Sequence, residues 1–513
     1  PMPLEEPVTQ ATRPVNLPTD QSPQNFIRDT LPEAAHIIQF RLPCAACHYP
    51  VAWLWSELRI SGMRIMTTLN NKAMAAMSDW LDLLVEKRAL PCAVTQVTIH
   101  GKTEYLRATG YADIASGESI TEDAIFRLYS MSKPIVSVAL MMLYEEGRFQ
   151  LGDPLYRYLG SKWRKENMSV FAGWRGDEEA GRKEVDFDTV PCQSDITMRQ
   201  VLTHTAGLSY GFDPSGRGIA VDRIYNKTMV HPARHPETIA DDDPSMLAAF
   251  CDVLAEMPLL YQPGTQWNYS YATDVCGALV EILSGQSLDQ FLAERVFGPI
   301  GMVDASFDLS ADKADRMPHN YRYVPPEGVG PDDVYKGSDT LHFPHLGTIT
   351  DIDEGSRGGY LNPARPKFLS GGGGLLGTAS DYSKFCSMLL AGGVNEQGQG
   401  IMGSRTIDYI TSNHLPGGQG LMDMVPKPEF QYSETAKNGG SFGLGFSIVE
   451  STQEAGLIGS VGNYAWGGAA ATIFWCDPVE KMSVVFCTQV MGMQPPNMLR
   501  AKLGSYIYGA LES

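Results

Sequence analysis

Strand-like sequence stands at both ends of the globular part of this chain, and a helix- and loop-rich stretch separates the two ends. Near the start, Ala93 to Ile99 alternates and is rich in β-branched residues, and His100-Gly101-Lys102 turns the chain into a second strand around Tyr105 to Gly110. Near the end, Phe446 to Glu450, Ala470 to Cys476 and Met482 to Gln489 read as strands, with a turn at Asp477-Pro478. These strands are expected to pair in one antiparallel sheet. Helices flank it: Met77, Trp80, Leu81 and Leu84 recur at helical spacing within Ala73 to Lys87, and a final helix is expected from about Pro496 to Leu511. The middle, about 125 to 440, becomes an inserted, mainly helical domain. The expected class is α/β. Residues 1 to 70 read as an N-terminal extension of unknown role, and 71 to 513 as the main domain.

Composition narrows the function. Of 513 residues, 43% are hydrophobic and 19% charged, a globular balance that allows a large core. The net charge of -19 argues against a nucleic-acid partner, because counterion release needs a basic face. With no run of about 18 apolar residues, no transmembrane segment is expected. Pro1 to Thr30 lack the basic start and apolar stretch of a secretory signal. The initial Pro1 points to a chain that is not a raw translation product, so earlier removal of a leader is left open. Several of the nine cysteines sit in apolar runs such as Phe474-Trp475-Cys476, where a thiol behaves as a small buried hydrophobe. An intracellular reducing compartment is the expectation.

Chemistry enters at Ser130-Met131-Ser132-Lys133. Ile135 to Glu146 has a strong helix pattern, and Pro134 can stand only in the first turn, where N–H groups are unpaired anyway. Ser130 therefore falls at or next to the helix N-terminus, with Lys133 one turn later on the same face. A serine hydroxyl is a weak nucleophile and needs a neighbouring base. A desolvated lysine can serve, and the positive helix end favours a developing oxyanion. The four-residue pattern alone is common. Two further stretches give it weight: Gln262 to Tyr271, which contains Tyr269-Ser270-Tyr271 ahead of a helix over Val275 to Leu283, and Gly462 to Ala469, which leads into a strand.

Together these segments resemble, in order and spacing, the class C β-lactamases and the family VIII carboxylesterases. Phe126 to Pro134 is similar to the family's nucleophile segment, Leu202-Thr203-His204-Thr205-Ala206-Gly207-Leu208 to its His-Thr-Ser-Gly-Leu turn, and Gly372-Gly373-Gly374-Leu375 with Thr378 to Tyr382 to a further segment. The likeness spans roughly residues 75 to 510 and implies a β-lactamase/DD-peptidase-like fold. It implies Ser130 as acyl acceptor, Lys133 and Tyr269 sharing general base and acid work, and an oxyanion hole from the backbone N–H groups of Ser130 and Ala469. Trp466, Gly467, Gly468 and Tyr271 complete the substrate-binding set. Two departures matter. Tyr271 replaces an amide-bearing Asn, and Trp466 replaces the Lys that pairs with a β-lactam carboxylate, so the chain resembles the esterase branch.

Other signals compete. Gly207-Leu208-Ser209-Tyr210-Gly211 matches a nucleophile elbow, but a short helix over Met198 to Leu202 precedes it instead of a strand. His204 is expected to hold a turn. Cys44-Ala45-Ala46-Cys47-His48 has the haem-attachment spacing, in an extension small for a cytochrome domain and with no placeable Met ligand. His231, His235, His342 and His345 read as loop residues, because no carboxylate or thiol joins them at a zinc spacing. The run Gly371 to Gly374 is no phosphate loop and implies a close backbone approach. No cofactor and no metal are expected. The expected activity is that of a serine hydrolase forming an acyl-enzyme on carboxylic esters. Its partner is a small-molecule ester or amide, with a homo-oligomer left open. The alternatives are a β-lactamase, D-aminopeptidase or acyltransferase with the same site, or a non-catalytic scaffold subunit.

Overall fold

The computed structural model describes residues 67–175, 187–212, 219, 221–228, 245–324, 348–353, 368–425, 438–492 and 496–512. The Cys44/Cys47/His48 motif and His231, His235, His342 and His345 lie outside the described residues.

The two ends of the described main domain meet in one sheet. Its strands are β1 (Cys92–Ile99), β2 (Lys102–Asp113), β3 (Glu118–Ser119), β4 (Gly440–Phe442), β5 (Ser447–Val449), β6 (Tyr464–Gly467), β7 (Ile473–Asp477) and β8 (Met482–Cys487). Their order is β4-β5-β6-β7-β8-β1-β2-β3. The join between the ends is the antiparallel β8–β1 pair, in which Val484 faces Val97 and Met482 faces Ile99. The β1–β2 hairpin turns at His100 and Gly101, both at positive φ (51° and 77°), the backbone twist that a two-residue hairpin turn requires.

Period-2 alternation sorts the strand residues into two cores. Met482, Val484 and Phe486 of β8 pack with Val97 and Ile99 beneath α1 (Asn71–Glu86) and α5 (Pro496–Gly509). Val485 and Cys487 face the other side, the larger core that includes α2 (Ser132–Glu145), α3 (Ala272–Ser284) and α4 (Ala379–Leu390). Because helices cover both faces, β1 is buried along its whole length. The start of α1 is fixed by Asn70, whose side-chain oxygen accepts from the Lys72 and Ala73 N–H groups at 2.9 and 3.1 Å. Apolar nearly all round, α2 has Ser132 to Leu143 buried and runs through the larger core.

Outside the main sheet, Phe126–Arg127 pairs antiparallel with Leu376–Gly377. Thr348–Asp351 is a strand pairing antiparallel with Tyr321–Val324, which in turn pairs parallel with Val490–Met491. Four residues at a small edge, among Pro, Gly and Asp, carry too little alternation to stand out. The described cysteines, Cys92, Cys192, Cys251, Cys276, Cys386, Cys476 and Cys487, are buried free thiols. Among the described residues, no helix is long and apolar enough to cross a membrane.

Candidate active site

Ser130 sits in a single helical turn, Tyr129–Met131, that runs directly into α2. Pro134 is the third residue of α2, inside the first turn where a proline costs no hydrogen bond. The residue before the serine, Tyr129, is at φ 45°, a left-handed conformation that costs a residue with a Cβ free energy and must be enforced by its surroundings. The surroundings are substantial. The Gln489 side chain brackets the Arg127 backbone, accepting from its N–H at 3.3 Å and donating to its C=O at 3.2 Å. The buried Arg127 guanidinium donates to Asp353 at 2.6 Å and to the Pro318 carbonyl at 3.0 Å. Asp353 also accepts the Asn320 N–H at 2.9 Å, and the Asn320 amide donates to the Tyr129 hydroxyl at 2.9 Å.

Three polar side chains converge at Ser130. The Tyr269 hydroxyl donates to Ser130 Oγ at 2.7 Å, and Lys133 Nζ lies 3.3 Å from the same oxygen. Lys133 Nζ also donates to the Gly372 carbonyl at 2.6 Å and lies 3.4 Å from the Tyr210 hydroxyl. Burial of Lys133 lowers its amine from the ordinary 10.5 to about 7, and the nearby Asp274 carboxylate offsets part of that fall. Burial raises the Tyr269 phenol well above its usual value, against the pull of hydrogen bonds with Ser130 and Trp466. Near neutral pH the lysine can therefore hold or release a proton while the tyrosine keeps its own.

The other sequence-derived residues take different depths. Gly468 lies against the segment leading to Ser130: a Cβ there would come 2.5 Å from the Leu128 carbonyl oxygen and 2.1 Å from Thr472 Oγ1. Ala469 follows, itself exposed, in a turn whose next residues Ala470 to Thr472 are buried and which is closed by the Gly468 N–H donating to Thr472 O at 2.7 Å. Gly467 ends β6. Trp466 is only 2% exposed, its ring 5.5 Å from both Tyr269 and Phe442, so it backs the tyrosine. Tyr271 is buried too, against Tyr210 at 4.3 Å and Phe250 at 5.3 Å. Open aromatic surface comes instead from Phe212, 52% exposed and stacked on Tyr210 with centroids 4.2 Å apart.

His204 is buried beside the Tyr269 ring (5.0 Å) with Nδ1 3.1 Å from Ser270 Oγ, and burial then the Lys133 charge hold its imidazole well below the ordinary value. It braces the turn, and its carbonyl accepts the Asn268 N–H at 2.9 Å. Ser209, the elbow serine, is buried and hydrogen-bonded to the buried Asp222. Two neighbours of Lys133 escaped the sequence reading, Tyr210 and Asp274. An acid inside the apolar run Ala272 to Val280 was the available signal for Asp274. Among the described residues, Asp113, His319 and Asp351 are a group whose ligand atoms come within 4.8 Å of one another. His319 Nδ1 is already paired with Asp351 Oδ2 at 2.6 Å, and both Asp113 oxygens accept backbone N–H groups, so that cluster is satisfied within the chain.

A family model described as Beta-lactamase matches residues 77–505. Protein Rv1367c of Mycobacterium tuberculosis (strain ATCC 25618 / H37Rv) is 30% identical over 400 residues, 77% of this chain and 85% of its own. Esterase EstB of Burkholderia gladioli is 28% identical over 437 residues, 84% of this chain and 94% of its own. The solved structure of "EstCE1, a hydrolase with promiscuous acyltransferase activity" superimposes with a TM-score of 0.60 at 22% identity, covering 85% of this chain and 99% of that one, a likeness of fold.

Proposed function

We infer that this chain, which belongs to the Beta-lactamase family, is a serine hydrolase that cleaves carboxylic esters through an acyl-enzyme on Ser130. The observation that carries the reading is the convergence of Lys133 Nζ and the Tyr269 hydroxyl on Ser130 Oγ, at 3.3 and 2.7 Å, with the lysine held to about 7. Nucleophile, base and acid then stand within reach of one reacting carbon.

Ser130 Oγ attacks the ester carbonyl as its proton passes to the neutral Lys133 amine. The carbonyl oxygen becomes an oxyanion, for which the N–H groups of Ser130 and Ala469 are the proposed donors. Collapse of that intermediate breaks the bond to the alcohol oxygen. Tyr269 gives the leaving oxygen a proton and regains one from Lys133. Water repeats the sequence on the acyl-enzyme, releasing the acid and restoring Ser130. Two features favour an uncharged ester over a β-lactam. Trp466 brings no cation to meet a carboxylate, and the exposed Phe212 on Tyr210 suits an apolar group.

A fluorophosphonate probe with mass mapping tests the nucleophile: labelling is expected at Ser130 and absent in Ser130→Ala, and label retained in that variant overturns the assignment. Substrate class is read from a panel of short-chain nitrophenyl esters beside a chromogenic cephalosporin. Rapid cephalosporin turnover without ester turnover would replace the esterase reading with β-lactam hydrolysis.

A further inference from the structure

We propose that Asp274 is a positioning residue for Lys133: its carboxylate fixes the Gly372 carbonyl against the lysine amine and places a negative charge beside it. The inference rests on Ser130 and Lys133 acting as described above, and it adds a residue that the sequence did not single out.

The geometry is a two-step bridge. Asp274, fully buried on α3, accepts from the Ser370 hydroxyl at 2.6 Å and from the Gly372 N–H at 3.1 Å through Oδ1. The same peptide turn presents the Gly372 carbonyl to Lys133 Nζ at 2.6 Å. One carboxylate oxygen thus sets the turn that sets the amine. The other, Oδ2, is buried and has no hydrogen-bond partner among the described residues. A carboxylate oxygen left so is costly, and a chain retains it where its charge has a use. Glycine at 372 belongs to the same device. A Cβ there would come 2.5 Å from Asp274 Oδ2 and 3.2 Å from the Tyr210 hydroxyl, so a larger residue would force the turn off the amine.

The charge acts with a definite sign. A carboxylate near an ammonium favours the protonated amine, opposing the burial that lowers it. Asp274 thereby keeps Lys133 near 7 when burial alone would take it lower. The other titratable groups facing the pair stay out of the way. His204 and Tyr210 approach Lys133 from the segment 203–212, and Tyr269 from the stretch before α3. Cys251, from the helix Leu247–Ala255, and Cys276, on α3, face Asp274. His204 is held well below its ordinary value, while the Tyr269 phenol and both thiols are held above theirs, so each stays neutral around pH 7.

The test is the pH dependence of fluorophosphonate labelling at Ser130, for wild type, Asp274→Asn and Asp274→Ala. The isosteric Asn keeps an acceptor for Ser370 and Gly372 and removes the charge. Its acid limb is expected to move to lower pH by about one unit. The Ala variant also frees the turn, and its plateau rate is expected to fall roughly tenfold or more. An unmoved midpoint in Asp274→Asn overturns the electrostatic part, and an unchanged plateau in Asp274→Ala overturns the positioning part. If Asp274→Asn does not fold, Ser370→Ala, which leaves the charge, must lower the plateau with the midpoint in place; a wild-type plateau there sinks the proposal. Label appearing away from Ser130 would instead refute the nucleophile assignment, a separate result.

Discussion

Two buried cation–carboxylate arrangements stand on either side of Ser130, and they are built on opposite plans. Three residues before the serine, Arg127 pairs directly with Asp353 at 2.6 Å, and its Nη1 also reaches Pro318 O and Gln489 Oε1 at 3.0 and 3.3 Å. Three residues after it, Lys133 and Asp274 are joined only through the Gly372 peptide, and one Asp274 oxygen has no hydrogen bond among the described residues. The first arrangement is closed, and its charges are spent on holding the chain. The second is bridged by a peptide, which leaves the amine without a direct carboxylate partner among the described residues. Low dielectric strengthens a satisfied pair and shifts the proton affinity of an amine that lacks one, so the same burial builds a brace in one place and, on the proposed mechanism, a base in the other.

The contrast is tested hardest at Lys133. Lys133→Met should cost about a hundred- to ten-thousandfold in ester turnover, yet it should raise stability. The folded protein holds this amine near 7, below its ordinary 10.5, so the unfolded chain binds the proton more tightly. Wild type therefore bears a penalty that is full below pH 7 and fades as pH rises from about 7 to 10.5. A gap of that size corresponds to roughly 5 kcal/mol. Melting curves should show Lys133→Met gaining clearly at pH 6 and little at pH 10; an equal gain at both would remove the claim that the lysine is strained by burial.

Arg127→Met should do the reverse. Removing the guanidinium from the buried Asp353 carboxylate is expected to cost about 3–5 kcal/mol in chemical unfolding. Adding Asp353→Leu should recover part of that loss, since it removes the uncompensated charge while leaving the Asn320 N–H without its acceptor. Activity per folded molecule should then report how far Tyr129 depends on the brace, while the acid limb stays where it was. A shifted limb would mean that the two arrangements are coupled. Smallest is Gly372→Ala, expected to slow turnover about ten- to a hundredfold by displacing the Lys133 contact. A wild-type rate there would show that the turn has slack that the 2.5 Å approach to Asp274 Oδ2 does not suggest.

Much of this was legible in the residues. Alternation at both ends foretold the β8–β1 join, and Pro134 located the helix start that carries Ser130 and Lys133. Tyr269 came from its motif, and its hydroxyl lies 2.7 Å from Ser130 Oγ. The braces were hidden because they depend on contacts far apart in the chain: Gln489 and Arg127 are 362 residues apart, and Lys133 and Gly372 are 239. Trp466 and Tyr271 were readable as uncharged replacements, but their depth was not. Residue type tells what a side chain lacks, while packing decides whether it meets solvent or a neighbour. Tyr210 lay inside a misleading Gly-x-Ser-x-Gly pattern whose serine turned out buried against Asp222.

The β8–β1 pairing also governs the order of assembly. The segment carrying Ser130 is made before its partners: Gln489 and the Gly468 turn that seats on Leu128 follow hundreds of residues later, and Thr488 reaches back 396 residues to the Cys92 carbonyl. Contacts of such separation form slowly, after loop closure has been paid for. A nascent chain can therefore contain Ser130 and Lys133 without holding them in a working geometry. Reactivity would arrive with the last strands, so a chain cut short before β6 should be inert.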